Sequence, residues 1–514
     1  LIADEPTTAL DVTVQAQIFD LLRDLRRDIG SSIILITHDM GAVAEMADRV
    51  IVMYAGRKAE LGPVDAIIRH PRHPYPNGQI YCVPRLLRPQ ADARGELTDC
   101  PSTGRVWCRR LPFCLALCAC DGSMHLRPAQ TADVRRPARS RMLARGGSMT
   151  LLSVKDLSVH FAVRRKGLFG PKQFLRAVDS VSFDLPVGET LAIVGESGSG
   201  KTTTALAVAR LVNAAAGSVK LDGQDILGTE GEALRQLRST VQFIFQDPFS
   251  SLNPRRRAEE LVREPLDSLT DKSPAEKQEI VDDLFAAVGL RKEQQRLFPH
   301  QFSGGQRQRI GIARALATRP RLVICDEPVS ALDVAVQAQI LNLLRRLQDQ
   351  FNLTYLFVSH DLGVVQHMSD TIAVMYMGRI VELADRLSLF NDPKHPYTAA
   401  LLSAVPSVSA AARAAQKRIL IPGDPPDPVD LPAGCRFANR CPLAREECHA
   451  VEPELTDTGA GHMAACHFPE ETRTLRSTGV QTSSRRKTRQ RRTASAIHPR
   501  AAPKPATAIA ARPK

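Results

Sequence analysis

Three short stretches in a fixed order constrain this chain more than anything else in it. The first is a glycine-rich loop, Gly195–Thr202 (GESGSGKT), which follows the apolar run TLAIV. The second is Phe302–Arg309 (FSGGQRQR), and the third is the acidic pair Asp326-Glu327, which closes the apolar run LVICDEP. A strand, a loop that only glycines can close tightly and a following helix place backbone N–H groups and a helix N-terminus around phosphate oxygens. The loop supplies Gly195, Glu196, Ser197, Gly198, Ser199 and Gly200, and then Lys201, Thr202 and Thr203. Lys201 is placed to hold the β- and γ-phosphates and the Thr202 hydroxyl to ligate Mg²⁺. Adjacent carboxylates at the end of a buried strand would repel each other unless one faces a cation and the other a water.

The runs LLSVKDLSV, TLAIVG, LVICDEP, YLFVSHD and TIAVMYMG read as strands alternating with helices, which is an α/β pattern. Between the loop and FSGGQRQR, Ser273-Pro274-x-Glu276 is a capping box with Pro in the first turn. It opens a helix that Gly289 ends. Ser303-Gly304-Gly305 is expected to cap a second helix beginning near Gln306.

Residues 1–76 match residues 323–398 without a gap at an offset of 322. LIADEPTTALDVTVQAQIFDLL answers VICDEPVSALDVAVQAQILNLL, ITHDMGAVAEMADRV answers VSHDLGVVQHMSDTI, and HPRHPYP answers PKHPYT. So long a period means duplicated domains rather than a solenoid. The first copy opens at Leu1-Ile2 inside a motif, without a phosphate loop of its own, and reads as a fragment or a misplaced start.

From about Pro84 to Ser148 the chain is rich in Arg, Cys and Pro, holds the only Trp (Trp107) and has no helical or strand period. Read one base later, Met124-His125 and Met142-Leu143 must encode cysteines, and Leu111 and Leu117 do so where their codons end in TG. Those four positions are spaced 6, 7 and 18 apart, as are Cys435, Cys441, Cys448 and Cys466. Met149-Thr150 hides a stop in the same frame. The stretch therefore reads as a linker translated out of frame between two adjacent genes, with Met149 the natural start of the second. A fused two-cassette chain with a local corruption is the alternative.

The net charge of +13 does not mark a nucleic-acid binder, because residues 472–514 alone carry twelve Lys and Arg and no Asp or Glu. That segment has the composition of a disordered, solvated tail, with anionic lipid or nucleic acid as the alternative partner. No run of eighteen apolar residues suggests a membrane span. Of the eleven cysteines six fall in an early cluster and four in a late one, with Cys325 apart, and they do not form the pattern of a secreted disulfide scaffold.

Together the three stretches resemble the ATP-binding cassette (ABC) family. The resemblance implies a P-loop NTPase fold, an ABC-type nucleotide-binding domain with a helical insertion, and a small Cys-containing C-terminal extension. By that resemblance Asp326 supports Mg²⁺ and Glu327 is the general base. Gln246 in FIFQDP is the glutamine that reaches Mg²⁺ and the attacking water, and His360 in VSHD contacts the γ-phosphate. Ser303, Gly304, Gly305 and Gln306 face the ATP of a partner cassette, Asp333 in SALD lies at the dimer interface, and Phe161 stacks on the adenine, with Phe174 the alternative.

The continuation HPYTAALLSAVP, IPGDPPDPVDLPAGCRFANRCPLAREEC and AAC resembles the extension of ATPase subunits in bacterial dipeptide/oligopeptide importers, a group that also serves nickel and glutathione uptake. Some members hold a [4Fe–4S] cluster there. Cys435, Cys441, Cys448 and Cys466 are thus ligands for iron–sulfur or zinc, or thiols packing a small domain. Cys325 reads as a small core residue.

The expected organisation is 1–84, the C-terminal part of a first cassette; 85–148, the linker; 149–390, a complete cassette; 391–470, the extension; and 471–514, the tail. The expected role is to hydrolyse ATP and energise peptide uptake at the cytoplasmic face of the bacterial inner membrane. Its partners would be two permease subunits and a second ATPase subunit, with an extracytoplasmic solute-binding protein engaged indirectly. The alternatives are a soluble ABC ATPase of translation or DNA maintenance, and an inert product of a broken gene.

Overall fold

A computed structural model describes residues 1–7, 12–82, 149–163, 173–405 and 418–478. The expected frame change, Trp107 and most of the basic tail lie outside the described residues.

The N-terminal piece has strands β1 (Ile2–Asp4), β2 (Ile34–Ile36), β3 (Arg49–Tyr54) and β4 (Arg57–Pro63). β1 and β2 pair in parallel and β3 and β4 form a hairpin, so the piece holds two separate two-stranded sheets. Ile2, Ile34, Ile36, Ile51 and Met53 are exposed on them. Arg418 joins this piece to the rest of the chain through Glu45, at 2.6 Å.

The larger unit contains β5 (Thr150–Val163), β6 (Gln173–Pro186), β7 (Thr190–Val194), β8 (Ala216–Leu221) and β9 (Gln224–Asp225). It continues with β10 (Val241–Ile244), β11 (Leu322–Asp326), β12 (Thr354–Val358), β13 (Thr371–Tyr376), β14 (Arg379–Asp385), β15 (Thr456–Asp457) and β16 (Met463–Ala464). The main sheet runs β10-β11-β12-β7-β13-β14-β16-β15, parallel from β10 to β13, and a second, antiparallel sheet runs β6-β5-β8-β9. Strands buried on both faces read as unbroken apolar runs, which explains TLAIV, LVIC and YLFV. The two-residue period then divides each run between two cores. Leu322, Ile324, Leu356 and Val358 face the antiparallel sheet, and Val323, Cys325, Tyr355 and Phe357 face the helical side.

The insertion helix spans Pro274–Ala287, with Ser273 and Glu276 exchanging side-chain and backbone bonds as the capping box requires, and Gly289 at φ +73° beyond its end. The helix after FSGG spans Gly304–Leu316 and so starts two residues earlier than expected. Ser303 caps it and the Gln306 side chain accepts from the Ser303 N–H at 3.1 Å. The cap settles the start against the poor helical propensity of two glycines.

The extension is continuous with the cassette, because β16 pairs with β14 and β15 pairs with β16. The segment expected to be disordered from 471 opens with a helix, Thr472–Thr478. Leu475 is buried there, the Thr472 hydroxyl donates to the Lys394 carbonyl at 3.0 Å, and Arg473 pairs with Asp392. Among the described residues no helix is long and apolar enough to cross a membrane.

Candidate nucleotide site

β7 delivers the loop and β11 delivers the acidic pair, so parallel strands two places apart in the sheet end side by side. Gly195 and Gly200 have φ of +151° and +102°, and a Cβ on them would lie 2.1 Å from the Met375 carbonyl oxygen and 2.3 Å from that of Ala177. Only glycine fits at these two positions. Lys201 opens the helix Lys201–Val208 and its Nζ donates to the carbonyls of Gly195 and Glu196, each at 2.9 Å. The ammonium is therefore held across the mouth of the loop. Ser197 is exposed and Thr203 half-buried, whereas Ser199 is buried.

The Thr202 hydroxyl donates to Asp326 Oδ1 at 3.0 Å. Burial pushes the Asp326 carboxyl up to about 6, against the Thr202 hydrogen bond. A hydroxyl and a buried carboxylate poorly supplied with positive charge suit a small hard cation with oxygen ligands. Thr202 and Asp326 therefore fit Mg²⁺, with Gln246 close by.

Glu327 is the meeting point of three distant segments. Gln246 Nε2 donates to Glu327 Oε2 at 2.8 Å, and His360 Nδ1 lies 3.0 Å from Glu327 Oε1. Burial would raise the Glu327 carboxyl, but the hydrogen bond and charge of His360 outweigh it and hold the carboxyl below its ordinary value. Burial would lower His360, but Glu327 raises it instead. Glu327 also has φ +45°, a left-handed conformation costly for a side chain of this size. The N-terminal repeat reproduces both features: Glu5 has φ +43° and its Oε1 lies 3.0 Å from His38 Nδ1.

Asp333 is exposed at the N-terminus of the helix Val334–Phe351. Gly305 is pressed against that helix, since a Cβ on it would come within 2.4 Å of Val336 Cγ1. Phe161 and Phe174 are both exposed, on neighbouring strands β5 and β6.

Glu196 departs from its expected place. Its N–H donates to the Tyr397 hydroxyl at 2.8 Å and its carboxylate binds Arg440, so both groups are committed to the C-terminal extension rather than to the loop's hollow. Tyr397 and Arg440 were not among the expected functional residues, although the repeat of HPY at residues 73–75 and 395–397 marked one of them.

Cys435, Cys441, Cys448 and Cys466 do come together, lining one small cavity with His395, Phe437 and Phe468. All four are free thiols. Burial raises the Cys435 thiol and pushes those of Cys441 and Cys466 up to about 12, so without a bound metal they are protonated. No group of three or more His, Cys, Asp or Glu among the described residues is arranged to hold a metal ion. The packed-thiol reading fits this geometry, and nothing in it supports the iron–sulfur or zinc reading. Cys325 is fully buried as a core residue.

Residues 178–330 match the ABC transporter family, and residues 59–114 and 381–448 each match the oligopeptide/dipeptide transporter C-terminal region. The chain thus carries an ABC transporter domain followed by the oligopeptide/dipeptide transporter C-terminal region, with a second copy of that region near its start. It is 44% identical over 434 residues to the glutathione import ATP-binding protein GsiA of Pectobacterium atrosepticum, covering 84% of this chain and 64% of that protein. With GsiA of Escherichia coli K12 the identity is also 44% over 434 residues, covering 84% of this chain and 65% of the relative. The chain thus spans a little under two thirds of the length of these relatives. Among solved structures, the dimeric bacterial ABC transporter cassette MJ0796 is 27% identical with a TM-score of 0.41, covering 46% of this chain and 98% of that one.

Proposed function

We propose that the chain is an ATP-hydrolysing subunit that energises uptake of small peptides through a bacterial ABC importer. The observation that carries the proposal is the convergence of Gln246 and His360 on the two oxygens of Glu327, beside the loop that holds Lys201 and Thr202. Lys201 and the amides of the loop from Ser197 to Thr203, the Glu196 N–H being taken by Tyr397, bind the phosphates of ATP. Thr202, Asp326 and Gln246 would hold Mg²⁺, which would offset charge on the phosphate oxygens.

Glu327, kept ionised by His360, takes the proton of the attacking water. Gln246 fixes the carboxylate that orients this water, and His360 reaches the γ-phosphate. Ser303, Gly304, Gly305 and Gln306 present a capped helix N-terminus to ATP bound by a second cassette, with Asp333 at that interface. Phe161 covers the adenine.

The two matches to the oligopeptide/dipeptide region and the GsiA relatives support peptides as the solute class, with glutathione the first to test. The subunit would sit at the cytoplasmic face of the inner membrane on two permease subunits, with a second ATPase subunit completing the paired sites and a solute-binding protein engaged indirectly. The test is ATP-driven uptake of labelled glutathione and dipeptides into proteoliposomes holding the chain and its permeases. Uptake that depends on Glu327 supports the reading. Association with ribosomes or DNA in place of permeases, without uptake, refutes it.

A further inference from the structure

The phosphate loop is gripped from outside by the C-terminal extension. Arg440 Nη1 lies 2.8 Å from Glu196 Oε2, and Nη2 lies 3.4 Å from Oε1. The two residues are 4% and 5% exposed, so this is an ion pair almost out of contact with water. Arg440 Nη1 also donates to the Tyr376 hydroxyl at 3.1 Å. The Tyr397 hydroxyl accepts the Glu196 N–H, and its ring packs on Tyr376 and Phe437 with centroids 4.7 and 5.4 Å away. Tyr397 is itself positioned by bonds within the extension and to β14 of the cassette. Its N–H donates to His395 Nδ1 at 3.1 Å, while the buried Glu382 carboxylate accepts the N–H groups of Lys394 and His395.

A second hold lies on the other side of the loop. Arg436, also buried, pairs with Asp179 and donates to the Met377 carbonyl at 2.6 Å. The next residue, Gly378, donates its N–H to the Ser199 carbonyl at 2.9 Å and accepts from the Asp179 N–H at 2.9 Å. Both arginines belong to the single segment Cys435–Cys441, CRFANRC.

A buried ion pair gains little stability over an apolar contact of the same volume, because desolvation offsets the attraction. What it does supply is a defined position for its partners. Here the positioned partner is the second residue of the loop, whose flanking carbonyls Lys201 holds from the opposite end. A loop that binds phosphate through its amides gains affinity when those amides are already aligned.

We propose that Arg440 and Tyr397 are positioning residues for the phosphate loop, so that the C-terminal extension sets how tightly the cassette holds ATP. This rests on the reading above that Gly195–Thr202 binds the phosphates. Their bonds to Glu196 and Tyr376 bear on the loop and not on Glu327, so the extension acts on binding rather than on the chemical step.

The experiment uses the full chain and measures three quantities: Mg²⁺-ATP binding with a fluorescent ATP analogue, the KM and kcat for hydrolysis, and thermal unfolding. Arg440→Met leaves the Glu196 carboxylate buried without its cation. Dissociation constant and KM should both rise about tenfold, with kcat at saturation within about twofold of the parent. Arg440→Lys should recover part of the loss, and adding Glu196→Gln to Arg440→Met should recover more than half of it by removing the stranded charge. Tyr397→Phe deletes one oxygen and keeps the ring, so it preserves the fold if Arg440→Met does not. It should raise KM about fivefold. The proposal is overturned if folded Arg440→Met or Tyr397→Phe binds ATP as the parent does, or if the loss appears in kcat alone. If the parent chain itself binds no nucleotide, the assignment of the loop to ATP is what has failed.

Discussion

Replacing Glu327 by Gln removes a charge without changing shape, and so separates chemistry from architecture. The amide oxygen can still accept from Gln246 Nε2, now 2.8 Å from Oε2, so that contact survives. The contact with His360, at 3.0 Å, changes from a charge-assisted bond to a neutral one. A hydrogen bond to a charged group contributes about 1.5–3 kcal/mol and a neutral one about 1, so folding should lose roughly 1 kcal/mol. In a domain of this size that is a fall of only about 2–4 °C in Tm.

Losing the general base is a larger effect, about 10²–10⁴ in rate. At 1.36 kcal/mol for each factor of ten, this corresponds to about 3–5 kcal/mol of activation free energy. ATP binding, which the loop performs, should be unchanged. Phosphate release from Mg²⁺-ATP, fluorescent-nucleotide binding and thermal unfolding of the same preparation measure all three. Turnover within about threefold of the parent would refute the role of Glu327, and loss of binding would show that it supports the loop instead.

Two other outcomes follow from the geometry. Gly305→Ala places a Cβ 2.4 Å from Val336 Cγ1, so the helix Gly304–Leu316 must move off the helix Val334–Phe351. Overpacking of this kind costs about 1–3 kcal/mol. Turnover should fall at least about tenfold with binding at the loop retained, and Val336→Ala in the same chain should restore turnover; no restoration would contradict the contact as the cause.

The His360–Glu327 pair sets a pH window in the nucleotide-free protein. His360 is raised from 6.5, so its contribution is full below that pH and is lost as pH rises through its folded pKa. Glu327 is lowered from 4.5, so its contribution is present above that pH and is lost as pH falls through its folded pKa. The Tm gap between the parent and His360→Gln should therefore be widest between pH 4.5 and 6.5, and a gap that does not vary with pH would contradict the pairing.

The parts of the site that were legible in the sequence are those whose chemistry needs contiguous residues. Gly195–Thr202 requires its glycines at Gly195 and Gly200 because backbone carbonyls crowd both, and such a constraint leaves a local pattern. The Asp326-Glu327 pair stands out because two adjacent carboxylates close an otherwise apolar buried strand. Gln246 and His360 could be placed by order alone, yet their convergence on Glu327, 81 and 33 residues away in sequence, is a property of the sheet order.

The link from Arg440 to Glu196 crosses 244 residues and has no period or spacing to betray it. The two-residue strands β15 and β16 are too short to show alternation, so the continuity of extension and cassette was hidden as well. The helix Thr472–Thr478 was missed for a different reason. One buried leucine and the Arg473–Asp392 pair hold it against a composition that otherwise reads as disordered.

The central claim is that one working nucleotide site exists in this chain and lies at Gly195–Thr202. Isothermal titration of the full chain with ATP and Mg²⁺, beside the Lys201→Ala variant, tests it most directly. The account predicts one nucleotide bound per chain in the parent, because the sequence holds a single Gly-x4-Gly-Lys-Thr loop, and binding abolished in the variant. Two nucleotides per chain, or undiminished binding without the Lys201 ammonium, would contradict it.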